Sequence, residues 1–131
     1  MTITLPKDVI EMIEGKNFGY ISTISPDGWP HVTPVWVDRE GDTLLINSTE
    51  GRKKVNNVQK NPKVSVAITD SNNPYRWVLI KGRVKEITTD GAEEHIDRLA
   101  KKYTGRDKYP RSSPDEKRVI IKIEPLEVVK R

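Results

Sequence analysis

A chain of 131 residues with 34% hydrophobic content is long enough for one domain with one core, and its apolar share is low enough that a partner chain completing that core fits the composition. Its 23 Lys and Arg against 19 Asp and Glu, a net charge of +4, are a mild surplus that suits small anions and not a dedicated nucleic-acid binder. With no cysteine there is no disulfide framework, thiolate nucleophile or cysteine metal site, so redox work would require a bound cofactor.

The first residues, Met1 to Asp8, contain no basic stretch followed by an apolar run, and no segment approaches the ~20 apolar residues of a membrane span. The expectation is a soluble, cytoplasmic, single-domain chain over 1–131. Thr4 and Pro6 start a short helix with Val9, Ile10 and Ile13 on one stripe, and Gly15 closes it. From Phe18 the period changes to two. Phe18 to Ile24 runs into the turn Ser25-Pro26-Asp27-Gly28, and Val32 to Val37 returns as the second arm of a hairpin. A turn over Asp38-Arg39-Glu40-Gly41-Asp42 leads to a strand from Thr43 to Asn47, which makes an antiparallel meander.

That strand gives way through Ser48-Thr49-Glu50-Gly51 to a helix opening with Arg52-Lys53-Lys54. Hydroxyls, a glycine and three cations gather where backbone N–H groups lack partners and the helix dipole is positive, which is a place to hold a phosphate. Arg52 offers a forked contact and Lys54 a point charge, while Lys53 points away. Val55 and Val58 form the apolar strip of this helix, which stops before Asn61-Pro62.

Lys63 to Thr69 alternates as a strand, Asp70 to Pro74 reads as a loop, and Tyr75 to Thr88 as a long strand bent at Gly82. Asp90, with Glu93 three residues on, caps a third helix whose Ile96, Leu99, Ala100 and Tyr103 share a face before Gly105. Arg106 to Lys117 is a loop that covers a site, and Val119 to Ile123 is the last main strand, ended or turned at Glu124-Pro125. About six or seven antiparallel strands with roughly three short helices predict a mainly β fold closing into a small barrel.

His31 has no acidic or nucleophilic partner nearby in sequence, and no metal pair is expected of it. His95, beside Glu93, Glu94 and Asp97, reads as solvent-facing with a carboxylate neighbour. Arg98, Lys101, Lys102, Arg106, Lys108 and Arg111 read as a solvated face, along which an anionic tail could also lie. Trp36 is a barrel-wall residue or a ring contact, Trp29 a dimer or lid contact, and Tyr75 and Trp77 seal an interface or meet a cofactor.

Gly19-Tyr20-Ile21-Ser22-Thr23, Asp27-Gly28-Trp29-Pro30-His31-Val32-Thr33-Pro34-Val35-Trp36, Asn47-Ser48-Thr49-Glu50-Gly51-Arg52-Lys53-Lys54, Asn61-Pro62-Lys63-Val64-Ser65 and Trp77 to Val84 stand in an order and spacing that resembles the pyridoxamine 5′-phosphate oxidase-like split-barrel family. Phe18 to Ile87 carries the likeness, with an echo over Arg118 to Pro125, and it is nearest to the short members that use the deazaflavin coenzyme F420. The resemblance implies an FMN-binding type of split β-barrel that forms a homodimer, with F420 or FMN in a groove between subunits. By position, Arg52 and Lys54 would bind the cofactor phosphate, Ser48 and Thr49 would add hydroxyl or backbone contacts, and Asn47 and Lys53 complete the cofactor-binding segment. Thr33, Pro34, Val35 and Trp36 would flank the ring, and Tyr75, Arg76 and Trp77 would reach it from the other subunit. The longer C-terminal region of the true pyridoxamine phosphate oxidases has no counterpart here, so vitamin B6 oxidation is not expected. Pro34 stands where some relatives have a polar side chain, which hands hydrogen bonding of the ring to backbone groups and leaves F420 and FMN both open.

The implied activity is hydride transfer between that cofactor and a small conjugated substrate, with a proton from water or from a hydroxyl such as Tyr20 or Tyr109. Two rivals stand beside it. One is a flavin carrier without turnover. The other is a barrel stacking single-stranded nucleic acid on Tyr20, Trp36, Tyr75 and Trp77. Neither membrane nor metal is expected as a partner.

Overall fold

The structure, a computed structural model, describes residues 2–130. In chain order it contains α1 (Lys7–Glu14), β1 (Phe18–Ile24), β2 (Pro30–Trp36), β3 (Asp38–Glu40), β4 (Thr43–Thr49), α2 (Lys53–Lys60), β5 (Lys63–Asp70), β6 (Asn73–Thr88), α3 (Ala92–Thr104) and β7 (Arg118–Lys130). Alternation along the strands sends Ile21, Leu44, Ile46, Ile68, Ile80, Ile121 and Ile123 to one face, where all are fully buried. The strands form one antiparallel sheet in the order β2-β1-β5-β6-β7-β4-β3. Its edge strands β2 and β3 are joined in the chain by Val37 alone, so the sheet curls until its two edges meet. The result is the antiparallel split β-barrel with three short helices that the sequence predicts.

Two helices feed the barrel core, α1 with Val9, Met12 and Ile13, and α2 with Val55 and Val58. The third, α3, lies outside, where Ala92 packs with Leu45 of β4 and Ile120 of β7. Residues of β4 and β7 therefore alternate between the barrel interior and the α3 side, which decides where each site residue of β4 points.

Several local expectations are corrected. The turn expected over Asp38 to Asp42 is mostly strand, because Asp38, Arg39 and Glu40 pair with Leu45, Leu44 and Thr43; Gly41 at φ = 62° makes the reversal. The loop from Asp70 to Pro74 shrinks to Ser71 and Asn72, with Asp70 opposite Asn73. Asp90 does not cap α3: the cap is Gly91 at φ = 73°, with no side-chain bond to the helix. The last strand does not end at Glu124-Pro125 but runs to Lys130, with Pro125 opposite Gly82 at a slip of register. The bend at Gly82 has a steric cause, since a Cβ there would lie 2.6 Å from Ile123 Cγ2 and 2.7 Å from the Glu124 carbonyl oxygen.

Candidate functional site

The chain leaves β4 through the turn Thr49-Glu50-Gly51-Arg52, in which the Arg52 N–H donates to the Thr49 carbonyl at 3.1 Å and Gly51 takes φ = 90°. That is a type II turn, whose third position requires the left-handed region open to glycine. The first turn of α2 has Lys53 and Lys54 and no acidic residue, and its first N–H groups have no carbonyl one turn earlier to bond. The helix is held to β1 by Asn57, whose amide donates to Thr23 Oγ1 at 3.0 Å and Ser25 Oγ at 3.3 Å. Three residues earlier on the same face is Lys54, 8% exposed, whereas Arg52 and Lys53 are open to solvent. Among the described residues no carboxylate pairs with Lys54. Burial lowers its pKa below the ordinary lysine value, and the nearby charges of Arg52 and Arg118 push the same way.

Arg118, 7% exposed, is opposite Thr49 in the β4–β7 ladder. Its Nε donates to Glu116 at 3.2 Å, its Nη1 to Asn47 Oδ1 at 3.3 Å, and its guanidinium lies 4.7 Å from the centre of the Tyr109 ring. Burial alone would raise the Glu116 carboxyl, but the Ser112 hydroxyl and Arg118 hold it below the usual range. Asn47 turns away from the barrel interior toward α3, where its Nδ2 donates to the Ala92 carbonyl at 2.9 Å and meets His95 Nδ1 at 3.1 Å. His95 Nε2 in turn lies 2.9 Å from Asp38 Oδ2. Burial works to raise the Asp38 carboxyl; the bonds from His95 and the Arg39 N–H, with the charge of Arg98, leave it lowered.

A separate apolar cleft of ≈ 240 Å³ opens between Phe18, Pro34, Val35, Trp36, Ile96 and Tyr109. Trp36 stacks on Tyr103 with ring centres 5.1 Å apart and planes 5° from parallel, and meets Tyr109 edge-on at 5.8 Å. The Tyr103 hydroxyl donates to the Asn17 carbonyl at 2.7 Å and accepts the Val37 N–H at 3.2 Å, so the floor under Trp36 is fixed. Tyr109 thus stands between Trp36 and Arg118, linking the cleft to the cations.

The structure brings Arg52, Lys54, Ser48 and Thr49 together at one junction, and Pro34, Val35 and Trp36 to the rim of the cleft. Val35 does so with its side chain in the core, so it offers backbone and not a ring contact. Thr33 Oγ1 and His31 Nδ1, on the same strand, are buried without a hydrogen-bond partner. Because β2 is an edge strand, Pro30 and Pro34 deprive no ladder of a donor, and alternation turns the backbone of Val32, Pro34 and Trp36 to the open side. Tyr75, Arg76 and Trp77 are not brought to this junction by their own chain: they lie near the start of β6, which β1 and β5 separate from β2. Arg76 pairs with Asp70 at 3.1 Å, and Tyr75 is 84% exposed.

Two expectations fail. His95 is not solvent-facing but 1% exposed, because its partner carboxylate comes from β3 and not from its own helix. The basic scatter is not uniformly solvated either. Lys102 is half-buried and donates to the carbonyls of Ile13 at 2.6 Å and Val37 at 3.1 Å, and Arg111 pairs with Glu93 and Asp97 at 2.8 and 3.2 Å. Sequence reading also missed Arg118 and Asn57. For Asn57 there was a signal, its place one turn after Lys54; for Arg118 the partners are too far along the chain to be seen.

Comparison with known proteins gives this geometry a family. A solved F420 reductase superposes with a TM-score of 0.83 at 29% identity, covering 97% of this chain and 100% of that one. A conserved hypothetical protein from Mycobacterium tuberculosis gives 0.73 at 21% identity over 98% and 85%, and general stress protein 26 from Bacillus anthracis gives 0.69 at 22% over 95% and 92%; these two speak to the fold alone. No curated protein matches the chain. The sequence model of pyridoxamine 5′-phosphate oxidase matches residues 5–130, nearly the whole chain. A split barrel with a cationic strand-to-helix junction beside an aromatic cleft is thus set among flavin-related oxidoreductases, and the chain belongs to the pyridoxamine 5′-phosphate oxidase family.

Proposed function

We infer that the protein is an oxidoreductase that holds F420 or FMN by its phosphate at the start of α2 and acts on a small conjugated organic substrate. The observation that carries this reading is Lys54, a largely buried lysine with two arginines near its charge and, among the described residues, no carboxylate partner. A buried, unpaired cation is costly unless an anion joins it. Arg52, Lys54, the free N–H groups of α2 and the hydroxyls of Ser48 and Thr49 would supply the phosphate cradle, with Lys53 and Asn47 beside it. Pro34 and Trp36 would present open backbone groups and an aromatic edge to the ring, with Thr33 between them and its own backbone held in the β1 ladder.

When bound, the ring supplies the two-electron hydride chemistry. The chain's part is to orient it against the fixed Trp36–Tyr103 stack, to exclude water with Tyr109, and to offer a hydroxyl proton from Tyr109 or Tyr20. The cleft of ≈ 240 Å³ adjoins a second of ≈ 450 Å³ that shares Trp36 and Tyr109 with it, so the two form an open groove of the size of sites that hold such ligands, roughly 300–1,000 Å³. A second copy of the chain, placing Tyr75, Arg76 and Trp77 over the ring, would complete it. Phe18, Tyr20, Ile24 and Val32 on the outer face of β1 and β2 are exposed and apolar, the surface such a homodimer would cover. The reading places the enzyme in the cytoplasm, with a small-molecule substrate and no metal, membrane or nucleic-acid partner.

The test is the absorption spectrum of protein purified from a host that makes both cofactors, followed by fluorescence titration of F420 and FMN into the stripped chain. Arg52→Ala and Lys54→Ala should each weaken binding by about 1.5–3 kcal/mol, the scale of a hydrogen bond to a charged group. Unchanged affinity in both variants would refute the site. Anaerobic turnover with reduced cofactor and a panel of conjugated acceptors separates the enzyme from a carrier.

A further inference from the structure

The hydrogen bonds on the α3 side of β4 form one directed chain, and at its end is a cation that the anion cradle described above does not include. Asn47 has two amide hydrogens and one carbonyl. The Nδ2 end faces the Ala92 carbonyl at 2.9 Å and His95 Nδ1 at 3.1 Å, so both hydrogens have acceptors only if Nδ1 carries a lone pair. The proton of the imidazole then belongs on Nε2, where it donates to Asp38 Oδ2 at 2.9 Å. With the amide fixed in that sense, Oδ1 is the end that faces Arg118, and it accepts Nη1 at 3.3 Å. Every side-chain polar atom of Asn47 and His95 has a partner in one arrangement, whereas the flipped amide would set its oxygen against the Ala92 carbonyl and its NH2 against the Arg118 guanidinium, losing two of the three contacts whichever imidazole nitrogen held the proton.

Arg118 itself is nine-tenths buried and close enough to Lys54 for each charge to disfavour the other. One carboxylate, Glu116, is paired with it at 3.2 Å; among the described residues Arg52 and Lys54 have none. Around the turn at the end of β4, Arg52, Lys53, Lys54 and Arg118 outnumber Glu50 and Glu116, which leaves a surplus of positive charge in a partly dry place, and the ladder sets Arg118 opposite Thr49, the residue that begins the turn into α2. Its Nη2 makes no bond within the described residues.

We propose that Arg118 is a further ligand of the anion bound at the start of α2, and that His95 is its positioning residue, acting through Asn47 from the buried Asp38 contact. This rests on the reading that the α2 junction binds a phosphate group. Arg118 approaches that group from β7 while Arg52 and Lys54 approach from α2, so the phosphate is held between two different elements. His95 touches no ligand; it keeps the Asn47 carbonyl turned toward the guanidinium.

The experiment titrates inorganic phosphate into the full, cofactor-stripped chain and follows the backbone amides of α2 by NMR. Lys54→Met tests the cradle and Arg118→Gln tests the new ligand; Arg118→Lys, which keeps the charge and loses the fork, is the second variant should Gln not fold. We expect Arg118→Gln to weaken phosphate about tenfold or more, the effect of losing a charged hydrogen bond, and Arg118→Lys to fall between it and the parent. Phosphate binding lost in Lys54→Met but unchanged in both Arg118 variants would overturn this proposal and leave the cradle standing; binding unchanged in all three would overturn both.

The positioning role has its own readout. In His95→Asn the side-chain oxygen takes the place of Nδ1 and can still accept from Asn47, whereas in His95→Gln the amide reaches Asp38 and leaves Asn47 without its acceptor. Phosphate affinity near that of the parent in His95→Asn and lowered in His95→Gln supports the relay, and equal affinities in the two overturn it. In the unaltered chain, long-range nitrogen–proton spectra should show His95 protonated on Nε2 alone. A proton on Nδ1 would break the chain at its second link.

Discussion

Lys54 is where the fold and the proposed anion site pull against each other. Its side chain is largely buried near Arg52 and Arg118, and its folded-state pKa lies below that of the unfolded chain. Between those two pKa values the unfolded state binds more protons, so stability rises with pH; the cost of the charge is present in full below the folded pKa and is relieved as pH rises through it. Lys54→Met, close in length and uncharged, should therefore stabilise the ligand-free protein by about 0.5–2 kcal/mol, the usual gain from relieving a functional site, and should flatten the alkaline rise in melting temperature. The same variant should lose phosphate binding. A melting temperature that falls in Lys54→Met would show that the lysine serves the fold. Charge and hydroxyl content made Lys54, Arg52, Ser48 and Thr49 legible in the sequence, because all lie within one turn of chain. Asn47 read as one of that group, yet strand alternation turns its side chain to the opposite face from Ser48. His95 was misread because the carboxylates next to it in sequence are not those next to it in space.

At the scale of elements, α2 is short, and two valines alone would leave it free to rotate about its axis. Its seat is set by Asn57, a buried amide donating to Thr23 and Ser25 at the end of β1, one turn from Lys54. Asn57→Ala leaves two buried hydroxyls without that partner and should cost about 1–3 kcal/mol of stability. It should also weaken phosphate binding without touching a ligand, since the face that holds Lys54 loses its anchor. Thermal melts and a phosphate titration check both; a stability loss with phosphate affinity intact would show that the valines fix the helix. The strands with clean alternation, such as Lys63 to Thr69, and the helices with a clear apolar stripe were readable because period alone decides them. Asp38–Glu40 was not, since three polar residues beside a glycine look like a turn until β4 is seen to pair with them. The α3 cap was misassigned for a related reason: Asp90 has the chemistry of a cap, but the left-handed Gly91 after it takes the position.

The whole molecule presents an apolar outer face that the single barrel leaves open. Phe18, Tyr20 and Val32 are on β1 and β2, Val32 is 59% exposed, and the cleft rim at Pro34 and Trp36 continues the same surface. The alternation that makes a barrel was visible in the sequence; that β2 and β3 form its two edges was not, because closure depends on pairings between strands far apart in the chain. If a second copy covers this face, each cofactor groove draws Arg52 and Lys54 from one chain and Tyr75 and Trp77 from the other. Val32→Glu puts a charge into the contact and should convert the dimer to a monomer in sedimentation velocity, with cofactor affinity falling alongside. Monomeric parent protein, or a monomeric variant that binds cofactor as the parent does, would exclude the shared site. A sharper form of the same test mixes two defective chains, one with Arg52→Ala and Lys54→Ala, the other with Tyr75→Ala and Trp77→Ala. Each alone should bind poorly. In mixed dimers one groove collects all four native side chains, so part of the binding should return after unfolding and refolding the chains together. A groove built within one chain cannot be repaired in this way, and absence of recovery in verified mixed dimers would place Tyr75 and Trp77 outside the site.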